Sequence, residues 1–64
     1  MTDIQTATEM ARMKFLPMKG IVAVSNDGYN IIFYVETEED ARKIPATFMG
    51  YRCITRVIGK LMKL

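Results

Sequence analysis

The sequence predicts a single small α+β domain spanning residues 1–64, with elements in the order α-β-β-α-β and both helices packed on one face of a three-stranded sheet. Two β-rich runs flank Asn26-Asp27-Gly28, a turn sequence that supplies the positive φ a tight hairpin needs. Helix-start signals stand before and after that hairpin, at Thr6 and at Thr37. The third observation is composition: 64 residues, 50% hydrophobic and 25% charged, with no histidine and one cysteine. Such a chain is globular, and it can build neither a zinc site nor an internal disulfide, so apolar packing alone must hold it together.

The first helix is expected from about Ala7, where Thr6 and Glu9 match a capping box. Pro17 is expected to end it by pushing Leu16 out of helical geometry. At 100° per residue, Ala7, Met10, Ala11 and Phe15 share a face, with Lys14 snorkelling past it. The hairpin strands are read as residues 21–25 and 29–36, and Asp27 is read as a turn residue rather than a metal ligand. Thr37 then caps a second short helix, whose acids Glu38, Glu39 and Asp40 suit the positive end of its dipole. Arg42 and Lys43 lie near its other end and Pro45 closes it, with Ala41, Ile44 and Phe48 toward the sheet. After a turn at Gly50, residues 51–58 alternate as a third strand ending at Gly59. Strand order 2-1-3 is preferred, as in a split β-α-β unit, because the second helix can step across one strand; order 1-2-3 is the alternative.

Period two divides the last strand. Tyr51, Cys53, Thr55 and Val57 point one way and Arg52, Ile54, Arg56 and Ile58 the other. The arginines therefore do not activate Cys53, which is read as a buried, inert thiol. With the helices over Ile31, Phe33 and Val35, the opposite face holds Ile32, Tyr34, Arg52, Ile54, Arg56 and Ile58, an apolar patch rimmed by charge and the candidate interface.

The function expected is a non-catalytic protein-association module, self-associating through that open face or docking a protein partner. The alternative is a single-stranded RNA- or DNA-binding module in which Tyr34 stacks a base and Arg52, Arg56, Lys60 and Lys63 of the basic C-terminus meet phosphate. Residues 1–40 hold three basic and seven acidic side chains, and residues 41–64 six basic and none acidic, which makes the second half an anion-attracting surface. The paired isoleucines and the absence of a GXXG or RNP-type motif favour association. No enzyme is expected, since no histidine serves as a base and no other constellation assembles, and no cofactor or metal is called for. The start Met-Thr-Asp-Ile lacks a basic n-region followed by an apolar stretch, and no apolar run reaches membrane-spanning length, so the expected location is cytoplasmic, without a membrane partner.

Within residues 19–59, "KGIVAV", "IIFYV" and "ARKIPATFMGYRCITRVIG" resemble a small uncharacterised archaeal and bacterial α+β module that also occurs ahead of trypsin-like peptidase domains. The marks of the resemblance are Gly20, Tyr34, Val35, Ile44, Pro45, Gly50 and Gly59. It implies a structural module and carries over no catalytic residue. Where that module has an aliphatic strand after the glycine, this chain has Arg52 and Cys53.

Overall fold

The computed structural model describes residues 2–59. Helix α1 (Ile4–Phe15) is followed by strands β1 (Ile21–Asn26) and β2 (Ile31–Val35), the one-turn helix α2 (Glu38–Ala41), and strands β3 (Thr47–Phe48) and β4 (Tyr51–Val57). The sheet is mixed, in the order β1-β2-β4-β3: β1 runs antiparallel to β2, β2 parallel to β4, and β4 antiparallel to β3.

The preferred order 2-1-3 is therefore incorrect, and the three long strands follow the 1-2-3 alternative. The physical reason is visible at β1 and at β2. Arg12 Nε donates to the Val24 carbonyl at 3.0 Å, engaging the outer side of β1 where β4 would have had to pair. Strand β2 is apolar throughout, and a strand apolar on both sides is best placed between two neighbours. Strand β3 is an addition to the three strands expected. It arises because Met49 and Gly50 both take positive φ, 53° and 87°, the backbone of a two-residue hairpin turn.

Helix α1 starts a turn earlier than Thr6 suggests. Asp3 is the cap, its carboxylate accepting from the Thr6 amide at 2.8 Å, and this brings Ile4 onto the core. The buried stripe is Ala7, Thr8, Ala11 and Phe15, whereas Met10 is 45% exposed. At about 100° per residue, Thr8 sits roughly 40° from Ile4 around the helix and Met10 about 120° away, so Met10 leaves the core face. Thr8 tolerates burial because its hydroxyl donates to Ile4 O at 2.6 Å and accepts from Asn26 Nδ2 at 2.9 Å. Leu16 keeps helical geometry, so the expected steric effect of Pro17 is not what ends the helix; Pro17 has no N–H to continue the ladder.

The hairpin loop is longer than a tight Asp-Gly turn. Asp27 Oδ1 accepts from the amides of Tyr29 and Asn30 at 2.9 and 2.7 Å, and Asn26 Oδ1 accepts from Gly28 at 2.9 Å. Tyr29 is consequently a loop residue, 82% exposed, and β2 starts at Ile31. A bulge at Val22 lets Ile21 and Val24 both face the core, which strict alternation forbids. The core is Ala7, Ala11, Phe15, Ile21, Val24, Ile31, Phe33 and Val35, with Phe33 edge-on to Phe15 at 5.3 Å between ring centres. The two alanines let α1 approach the sheet closely, and Ala41 and Ile44 at α2 pack against the same cluster. Both helices thus lie on the Ile31, Phe33 and Val35 face, as the alternation implies.

Helix α2 is fixed by its cap. Thr37 Oγ1 accepts from the Asp40 amide at 3.1 Å and donates to Asp40 Oδ2 at 2.9 Å. Lys43 Nζ then bridges Asp40 Oδ1 at 2.9 Å and Lys19 O at 3.1 Å, tying the helix to the start of β1. Gly20, at φ +91°, lies directly under the Asp40 carboxyl, where any Cβ would collide.

Candidate association surface

The face opposite the helices is built by all four strands. In register, Ile32 stands beside Ile54 and Tyr34 beside Arg56 across β2 and β4. On the β1 side Ser25 pairs with Ile32 and Ala23 with Tyr34, while Arg52 pairs with Thr47 of β3. Ile58 follows β4, its amide donating to Val35 O at 2.9 Å. All six candidate residues therefore share one face. Ile32, Tyr34 and Ile54 are brought together at its centre, with Arg56 exposed at the rim beside Tyr34 and with Arg52 and Ile58 toward opposite ends of β4.

Burial grades this face. Ile32 is 9% exposed although it is outside the helix-packed core cluster, because its strand neighbours shield it. Tyr34 and Ile54 are half-buried, Arg52 and Arg56 exposed, and Ile58 45% exposed. Among the described residues the one ion pair is Lys43 with Asp40, so neither Arg52 nor Arg56 has a carboxylate partner there. Lys60 and Lys63, assigned to the basic surface by the sequence, lie outside the described residues.

Cys53 takes the other face, beside Ile31 and against the core, so the thiol and the two arginines are separated as alternation requires. It is half-buried rather than fully buried, and that burial raises its pKa above the ordinary thiol value. It is a neutral thiol at physiological pH. The acids read as capping and turn groups do that work: Lys43, then Thr37, hold the Asp40 carboxyl below its usual range, and the Asn30 and Tyr29 amides do the same for Asp27. Among the described residues no three metal-ligating side chains converge, and no helix is long and apolar enough to cross a membrane.

Sequence reasoning missed Ala23, Ser25 and Thr47 as parts of the open face. The first two reach it through the bulge at Val22, which has no residue signature in this chain, and Thr47 reaches it through a strand of two residues. The Met49-Gly50 step before a β-rich run is the available signal for that second hairpin. Comparison with protein families, with curated proteins and with solved structures found no match. The resemblance of residues 19–59 accordingly rests on those residues alone.

Proposed function

We propose that this chain is a non-catalytic association domain that pairs with a second copy of itself through the face of its sheet opposite α1 and α2. The observation supporting this is the adjacency of Ile32 with Ile54 and of Tyr34 with Arg56 on a face that no helix covers among the described residues. An apolar centre with an exposed charged rim is the usual make-up of an interaction surface, and tyrosine and arginine are the side chains most often found as anchors. The patch is self-complementary about a two-fold axis, since aliphatic centre meets aliphatic centre and the arginines stay at the rim. Ile32 is already shielded and adds little; Tyr34, Ile54 and Ile58 would each contribute about 1 kcal/mol, half of full side-chain burial. For a 64-residue chain with eight residues in its core cluster, that gain is a substantial part of total stability. Light scattering over a concentration series tests the reading: a dimer mass is expected, and a monomer mass at every concentration counts against it.

The alternative reading, single-stranded nucleic acid, draws on Tyr34 standing beside Arg56 with Arg52 on the same face. Titration with single-stranded RNA at low and at raised salt separates the two, because phosphate contacts make binding salt-dependent. Absence of salt-sensitive binding eliminates it.

A further inference from the structure

The edge of the sheet carries a second surface, distinct from its open face. Backbone groups along a strand alternate in direction. The Ile58 amide donates to Val35 O of β2, so the even-numbered residues of β4 turn their N–H and C=O toward β2. The Cys53 amide donates at 2.9 Å to Ala46 O, on the opposite side, so the odd-numbered residues turn outward. Strand β3 pairs only Thr47 with Arg52 and Phe48 with Tyr51. Beyond Cys53, the N–H and C=O of Thr55 and Val57 therefore face outward, and among the described residues no strand pairs with them. Thr55 is exposed and Val57 is 44% exposed.

We propose that this outer edge of β4, at residues 55–57, takes up an extended acidic segment of a partner protein by strand addition. Main-chain hydrogen bonds to Thr55 and Val57 supply the pairing, and side chains on alternate positions supply selectivity. Charge decides the occupant. Arg52 and Arg56 are exposed along β4 and neither is in an ion pair among the described residues; Glu36, next along β2 from Val35, pairs with neither of them. No acidic residue follows Asp40 in the chain, so an incoming carboxylate has no competitor within β4. A second copy fits less well, because antiparallel pairing about Val57 sets Arg56 diagonally across from its own counterpart, and like charges across a strand pair repel. The β1 edge is a poorer site, since Arg12 already occupies the Val24 carbonyl.

The test uses three synthetic peptides: one alternating valine and glutamate, a fully N-methylated twin, and a twin with lysine for glutamate. The proposal expects the glutamate peptide to bind wild-type protein in a salt-dependent way and to slow hydrogen exchange at the Thr55 and Val57 amides. The methylated and lysine twins are expected not to bind. Thr55→Pro should abolish binding with the fold kept, because that amide bonds nothing within the described chain and proline is tolerated on edge strands. Arg56→Glu should weaken binding roughly tenfold by turning an attractive contact into a repulsive one. If Thr55→Pro fails to fold, the methylated peptide on wild-type protein decides. No binding of the glutamate peptide overturns the proposal, as does equal binding of either twin. Protection of Thr55 and Val57 in concentrated protein without peptide also overturns it, by assigning the edge to a second copy. The face-association reading is separated from these results by Ile54→Asp, which alters the open face beside Ile32 and leaves the backbone of the β4 edge in place, so a dimer mass lost in that variant belongs to the face.

Discussion

Phe33 and Tyr34 are neighbours in β2, and they stand on opposite faces of the sheet under different physical regimes. Phe33 is 0% exposed, edge-on to Phe15 and closed in by α1. Tyr34 is half-buried, beside Ala23 on one strand and Arg56 on the other, with no helix above it among the described residues. The covered face stabilises the monomer. The open face keeps part of its apolar area in water, which is the condition for gaining free energy from a second molecule.

The covered face should show the greatest loss on truncation. Phe33→Ala should cost about 3–5 kcal/mol and leave the dilute protein mostly unfolded, since small domains are stable by only about that much. Tyr34→Ala in the same strand should cost less than about 1.5 kcal/mol in dilute protein, because less of its side chain is buried at the start. Urea melts of both variants at low concentration check the ordering; equal losses would mean that the faces do not differ as described.

Next in size is the joint that seats α2 on the covered face. Gly20→Ala should cost about 1–3 kcal/mol for backbone strain at φ +91°, with the Asp40 carboxyl displaced as well. Thermal melts read the loss directly, and an unchanged melting temperature would show that the Gly20 and Asp40 contact is not needed.

A smaller effect is carried by acid. Lys43 and Thr37 hold the Asp40 carboxyl below its ordinary value of 3.8. A depressed folded-state pKa contributes stability at higher pH; that contribution starts to fall as pH drops through the ordinary value and is gone below the folded one. Urea midpoints followed from neutral pH down through the carboxylate range should therefore decline, and Asp40→Asn should flatten part of that decline. A variant as acid-sensitive as the wild type would show that Asp40 contributes nothing to it.

Much of this architecture is legible in the residues. Alternation alone separates Cys53 from Arg52 and Arg56 and gathers Ile32, Tyr34, Ile54, Arg56 and Ile58 on one side. Thr37 and its acids locate α2, and Asn26-Asp27-Gly28 locates the hairpin. What escapes is either non-local or unsigned. Strand order depends on Arg12 reaching a carbonyl of β1, 12 residues away, and no local pattern encodes that. The start of α1 turns on a competition between two competent caps, Asp3 and Thr6, which Asp3 wins because the extra turn adds Ile4 to the core. The bulge at Val22 and the hairpin through a methionine at positive φ depart from simple alternation and from the usual turn residues.

The central claim is that Ile54 belongs to an interface and not to the monomer's core. Sedimentation equilibrium of wild type and of Ile54→Asp at matched concentrations tests it most directly. A dimer is predicted for the wild type and a folded monomer for the variant, with near-native circular dichroism. A wild type that stays monomeric at high concentration, or an Ile54→Asp protein that remains dimeric, contradicts it.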